Sequence, residues 1–277
     1  YTATVAADLT WSVTVPAADL ALLTDGNVTV SAEVTAANGN TGSATRDITI
    51  DITAPVITID KVATDDVINS AEHGVAQIIS GTTTGVNAGA TVTVTLNGKT
   101  YTTTTDADGK WSVGVPAADV TALEAGTATI KAEVSDTAGN KGSVTRNITT
   151  DLTGPAVAVD RVTADDIINA AEKGADLTLT GTCGADVVTV KVTLNGKTYD
   201  ASVTDGTWTL TVPKADVAKL ADGTATVSSL ATDTTGNTTT VTRDFSVAAD
   251  STHLPTVTIN ALGDDLLNAA EVAADQT

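Results

Sequence analysis

Trp111-Ser-Val-Gly-Val-Pro116-Ala-Ala-Asp119 is the middle of three copies of one phrase. The first copy is Trp11-Ser-Val-Thr-Val-Pro16-Ala-Ala-Asp19 and the third is Trp208-Thr-Leu-Thr-Val-Pro213-Lys-Ala-Asp216, so the period is 100 and then 97 residues. Within the phrase Trp111, Val113 and Val115 alternate with small residues, and a period of two puts them on one face of a strand. Pro116 ends that strand because it has no N–H to give to a ladder. A Trp on a central strand fills a core, so Trp11, Trp111 and Trp208 are all expected to be buried. A unit of ~100 residues is too long for a solenoid repeat and has the size of one small β-sandwich.

The same alternation spreads outward from the phrase. Val92, Val94 and Leu96 alternate with Thr and run into Asn97-Gly98, the pair that a type I′ hairpin turn requires because both residues take positive φ. Leu194-Asn195-Gly196-Lys197 repeats that signal, and Ala128, Ile130, Ala132 and Val134 form a further alternating run. Residues 117–126 leave room for one short helical turn in a loop. About seven such strands per unit predict an all-β protein of tandem immunoglobulin-like antiparallel β-sandwiches in a linear array. Tyr1 aligns with Tyr101, so residues 1–51 are the C-terminal half of a repeat, 52–151 and 152–250 are full repeats, and 251–277 are the start of a further one or a linker. A half sandwich cannot bury its sheet faces: either the sequence is a piece of something longer or further chain supplies the missing half, and the residues do not decide between the two.

Composition narrows the function. Asp and Glu number 34 against 14 Lys and Arg, a formal charge of −20, which argues against nucleic acid or an anionic membrane surface as partner. Aromatic residues make up 3%, so the core must be built of Val, Ile, Leu and Ala. The single cysteine, Cys183, cannot form an internal disulfide, and no Cys/His spacing of a metal site exists. No run of 18 apolar residues exists, so no membrane insertion is expected. Cys183 aligns with Thr83, a strand position, and His73 and His253 are not repeated, Lys173 standing in for the first. The adjacent pair Asp65–Asp66 is poorly placed for catalysis and has no nucleophile–base pair near it. No enzyme is expected.

The informative chemistry lies at the junctions. Asp51, Asp60, Asp65, Asp66 and Glu72, with Asn69, recur as Asp151, Asp160, Asp165, Asp166, Glu172 and Asn169. A third copy has Asp250, Asp264, Asp265, Asn268 and Glu271, with Asn260 where Asp60 and Asp160 stand. A helical turn from Asp65 to Glu72 places Asp65, Asn69 and Glu72 at i, i+4 and i+7 on one face, with Gly74 and Gly174 suited to the C-cap. Asp136-Thr-Ala-Gly-Asn140 and Asp233-Thr-Thr-Gly-Asn237 read as F–G loops that bring Asp136 to the first junction and Asp233 to the second; the half repeat keeps Asn38-Gly39-Asn40 with Ala36 in place of the Asp. Such an oxygen-only set suits Ca²⁺, which takes six to eight oxygens in a loose geometry, whereas Mg²⁺ keeps its waters and Zn²⁺ asks for His or Cys.

The order Asp-x-Thr-x-Pro, Asp, Asp-Asp-x-x-Asn-x-x-Glu, Asn-Gly, Trp and Asp-x-x-Gly-Asn resembles the bacterial Ig-like repeats of giant type I-secreted adhesins, and the resemblance covers the whole chain. It implies many such domains in a filament, Ca²⁺ at the junctions, export across both membranes of a Gram-negative cell and attachment to host surfaces. The implied location is secreted or on the cell surface. The implied partners are neighbouring Ig-like repeats of the same chain and, through other parts of the adhesin, host-surface glycans. By the family pattern Asp151, Asp160, Asp165, Asp166, Asn169 and Glu172 carry over as junction calcium ligands. Asn260 and the spacing from Asp250 to Pro255, one residue longer than Asp51 to Pro55, depart from that pattern. Two functions follow as expectations: a calcium-stiffened stalk that spaces a distal host-binding domain from the cell, or repeats that bind a host glycan or protein directly. The scarcity of aromatics and the steady unit length favour the stalk.

Overall fold

The computed structural model describes residues 1–250. The chain divides into two compact units, Tyr1–Thr153 and a second from Gly154 on. In the first, α1 (Ala17–Leu20) precedes the hairpin of β1 (Gly26–Thr35) and β2 (Thr41–Ile50). A sandwich follows, made of β3 (Val56–Ile57), β4 (Val67–Ile68), β5 (Gln77–Thr84), β6 (Thr91–Leu96), β7 (Lys99–Thr104), β8 (Lys110–Val115), α2 (Ala117–Thr121), β9 (Gly126–Ser135) and β10 (Lys141–Thr150). One sheet runs β4-β10-β9-β6-β7 and the other β3-β5-β8, an immunoglobulin-like arrangement in which both sheets are antiparallel except for the short β4–β10 pair.

The alternation decides what lies between the sheets. Ile79, Val92, Val94, Trp111, Ile130 and Ile148 are all buried in one cluster. Asn97 and Gly98 take φ of 49° and 74°, as the turn signal requires. Gly81 on β5 lets strand and ring close up: a Cβ there would stand 1.9 Å from the Thr58 carbonyl oxygen and 2.7 Å from the Trp111 ring.

The second unit repeats the plan with β11 (Ile167–Asn169), α3 (Ala170–Lys173), β12 (Leu177–Thr182), β13 (Val187–Leu194), β14 (Lys197–Thr204), β15 (Thr207–Val212), α4 (Lys214–Val217), β16 (Gly223–Asp233) and β17 (Thr238–Ala248). Here β14 pairs with both β13 and β15, joining the strands into one order, β11-β17-β16-β13-β14-β15-β12. In the first unit β7 stops short of β8. Thr105 instead turns into the β5–β6 loop, where its N–H bonds to Ala90 O at 3.0 Å and its hydroxyl to Asn87 O at 2.9 Å.

Two expectations need correcting. Trp111 and Trp208 are 3% and 1% exposed, but Trp11 is 53% exposed. No sheet faces the β1–β2 hairpin among the described residues, so Val30 and Val34 are exposed beside it. Asp65 to Glu72 is not a helical turn either. The β-branched pair Val67–Ile68 is β4, laid parallel against Thr149–Thr150, and in the second unit the helix starts only after Asn169, which caps α3, with Gly174 at its C-cap.

Candidate metal centre

Where the hairpin meets the first sandwich, three segments bring oxygens together. Asp136 opens the β9–β10 loop, and its carboxylate accepts the backbone N–H groups of Ala138, Gly139 and Asn140 at 2.8–2.9 Å. Such Asx closure is what Asp does in a turn of this kind. The Asn140 amide then donates to Asp136 Oδ2 at 2.9 Å and reaches across to the Asp51 carbonyl at 3.1 Å and its Oδ1 at 3.3 Å. The F–G loop therefore lies at Asp51, as its sequence predicts. From the other side Asp25, just before β1, accepts the Ile52 N–H at 2.7 Å and the Thr53 hydroxyl.

The electrostatics keep Asp136 and Asp25 ionised. Burial pushes Asp136 up, but the Asn140 amide and the loop N–H groups outweigh it and hold its carboxyl below the usual range. The Thr53 hydroxyl and the Ile52 N–H do the same for Asp25. Anionic oxygen is the form a hard cation binds. Asp25 escaped the sequence reading. Asp222 stands at the matching position before Gly223, but Ala125 fills it in the middle copy and hides the pattern. Asp222 has a partner of its own, Lys173 Nζ at 3.1 Å.

The remaining candidates are distributed along the sandwich. Asp60 accepts the Ser80 hydroxyl and Asp160 the Thr180 hydroxyl, each at 2.8 Å. Asp65 and Asp165 cap the next strand through the N–H of Val67 and Ile167, at 3.0 and 3.1 Å. Asp66 grips Arg146 through both carboxylate oxygens, at 2.7 and 2.5 Å, and Asp166 grips Arg243 in the same way, at 3.0 and 2.5 Å. Asn69 accepts the N–H of Ala71 and Glu72, while Glu72 accepts that of Asn69. Asn169 and Glu172 form the same capping box. Asp233 closes its own loop by accepting the N–H of Thr235 and Asn237, both at 2.9 Å.

Asp51 and Glu72 thus belong to opposite ends of the first sandwich. Asp51 lies by Asn140, before β10 begins. Asn69 and Glu72 follow β4, beside Asp151, whose N–H bonds to Ile68 O at 3.0 Å. Between the two ends runs β10, ten residues long and so about 34 Å. Asp250 is the last described residue, and Asp264, Asp265, Asn268 and Glu271 lie outside the described residues. Among the described residues no three His, Cys, Asp or Glu side chains form a group that could hold a metal as they stand. The Asp25–Asp51–Asp136 path fits calcium in kind, being all oxygen, with three carboxylates from three segments.

A family model described as a bacterial Ig-like domain matches residues 161–251. A solved structure from a 1.5-MDa bacterial ice-binding adhesin, described as giving insight into host cell surface retention, is 32% identical; it covers 87% of this chain and 80% of its own, with a TM-score of 0.54. A second, described as a Ca²⁺-stabilised adhesin that helps an Antarctic bacterium reach out and bind ice, is 35% identical over 94% of this chain and 65% of its own, with a TM-score of 0.53. Among curated proteins none matches.

Proposed function

The chain belongs to the bacterial Ig-like domain family, which giant bacterial adhesins share, and from that premise we propose that it is a calcium-stiffened stalk segment of a giant bacterial surface or secreted adhesin, spacing a distal host-binding domain from the cell. The observation that carries this reading is the end of the sandwich where Asp51, between β2 and β3, is held by the Asp136–Asn140 loop on one side and lies beside Asp25 and its partner Ile52 on the other. Bound at this end, calcium would supply the positive charge needed to draw Asp51 and Asp136 together, with Asp25 close along the chain. Asp136 anchors the loop, Asn140 orients Asp51, and Asp25 fixes the backbone that follows Asp51.

By the order of its motifs the chain resembles the repeats of the Salmonella giant non-fimbrial adhesin. Type I export, an extracellular location, a role in virulence and contact with host glycans through other parts of the adhesin follow from the same likeness. Neighbouring repeats of the same chain are its direct partners. The domain family is structural, and the reading includes no catalysis. Small-angle scattering of the chain in 1 mM calcium and in chelator tests the stalk. The expected result is a longer, stiffer particle in calcium, and identical curves would overturn the reading.

One feature favours the second reading, direct binding of a host glycan or protein. Where β7 stops short of β8, an open groove of about 470 Å³ remains, lined by Asp60, Ser80, Thr82, Thr103, Asp106 and Lys110 among others. Trp111 at its floor is 3% exposed and offers no ring for a sugar to stack on. Binding on a glycan array by this chain, abolished by bulky substitutions at Thr103, is the result that would establish this reading.

A further inference from the structure

The chain enters each sandwich at one end and leaves it at the other. Pro55 lies against the start of β10, its carbonyl oxygen 2.0 Å from where a Cβ on Gly142 would be, and the chain departs at Asp151 after β10 ends. In the second unit Gly154 lies against Thr238 and Thr239 at the start of β17, and the chain departs after Ala248. Tension applied through the two ends of a sandwich therefore pulls the first segment one way and the last strand the other, along the strand axis.

Few polar contacts join those two segments directly. β4 pairs with β10 in parallel over two residues, Val67 with Thr149 and Ile68 with Thr150. Being parallel and pulled in opposite directions, this ladder is sheared rather than unzipped, and its bonds load together. Upstream of it, nearer the point where the pull arrives, is Asp66. Its backbone carbonyl accepts the Thr149 N–H at 2.9 Å, and its carboxylate grips Arg146 on β10 through two bonds. Arg146 in turn donates to the Ile59 carbonyl at 3.0 Å. Asp66 achieves this from a left-handed backbone, φ 71°, held by the exchange of two bonds with Val62. The second sandwich repeats the latch with one change in its support: Asp166 at φ 61°, its carbonyl accepting from Ser246 at 2.9 Å, its carboxylate on Arg243 and on the Val162 N–H, and Arg243 on the Val159 carbonyl at 3.4 Å, while the Asp166 N–H turns to the Thr163 carbonyl at 3.5 Å. Arg46 stands at the same position of β2. A bidentate guanidinium–carboxylate pair has a fixed geometry that resists sliding in its own plane.

We propose that Asp66–Arg146 and Asp166–Arg243 are mechanical latches, which fasten the first segment of each sandwich to its last strand against tension applied through the ends. Their use rests on the stalk reading; their action rests on the geometry alone. Forced unfolding reports the unfolding rate under load, so single-molecule pulling is the test. In the full chain held by its ends, Asp66→Asn should make one of the two sandwiches rupture at least tenfold faster at constant force, while the other serves as internal reference. Arg146→Lys keeps the charge, loses the fork and should act in the same direction, which covers a failure of Asp66→Asn to fold. A second pair of handles at Lys99 and Thr137, with Cys183→Ser to remove the native thiol, loads β7 to β9 and leaves β4 and β10 out of the path. There wild type and Asp66→Asn should rupture at the same rate. An equal acceleration in both pulling directions, or none in either, would overturn the latch. Scattering that does not respond to calcium would sink the stalk reading and leave this comparison untouched.

Discussion

Asp66 and Asp166 hold a backbone conformation that few residues other than Gly, Asn and Asp adopt readily, and the arginine explains why Asp stands there. Arg243 beside Asp166 holds its carboxyl at about 2, well below the ordinary value of about 3.9. A depressed folded-state value means the pair stabilises the sandwich fully above about pH 4, and that the contribution is lost as pH falls from there toward 2. Urea unfolding of wild type and Asp166→Asn across pH 2–7 checks this. The variant should be less stable at pH 7, and the gap should close below pH 3. An unchanged gap at low pH would show that the ion pair is not the cause. The doublet was legible in the sequence as a repeated pair, but its partner was not. Asp66 and Arg146 are 80 positions apart, and local spacing cannot join them. The matching period of Arg46, Arg146 and Arg243 was the one signal available, and it reads as an ordinary exposed cation until the strands are laid side by side.

At the scale of elements, alternation revealed the long strands because those of the two sandwiches have one wet and one more buried face, and the β1–β2 hairpin keeps the same pattern without the cover. It failed for β4 and β11, two and three residues long, since no period can be read in so short a run. The Asn cap that follows each of them made the whole stretch look helical. The candidate site was legible in part for the same reason: the Asp136–Asn140 loop and Asp51 carry recognisable turn and linker signals, whereas separating Asn69 and Glu72 from Asp51 took the length of β10. Packing is close between the first strand segment and the glycine beneath the Trp in each sandwich. A Cβ on Gly181 would lie 2.0 Å from the Ala158 carbonyl oxygen and 2.5 Å from the Trp208 ring, whose Nε1 donates to that same carbonyl at 2.9 Å. Gly181→Ala must force strand and ring apart, so a loss of about 1–3 kcal/mol is expected from overpacking. Chemical denaturation measures it, and a loss below about 0.5 kcal/mol would mean the backbone yields there.

For the whole molecule, the calcium reading makes a thermodynamic demand. An extracellular-type site binds with a Kd of about 10⁻⁴–10⁻³ M, so 1 mM calcium should stabilise the folded chain by roughly 0.4–1.4 kcal/mol per filled site. Melting followed by calorimetry should show a rise of a few degrees over chelator, reduced by Asp51→Asn or Asp136→Asn. The same melting temperature in both conditions would count against metal at the Asp51 end.

The separation of the two ends of each sandwich sets one more quantity. Folded, residues 52–151 contribute about 34 Å along the axis of β10. The same hundred residues drawn out straight would span about 330–360 Å. Rupture of a single sandwich would therefore release nearly ten times its resting length of slack. A tether made of such units absorbs a sudden jerk by giving up one of them, and the remaining units and the anchorage at either end feel the pull relax.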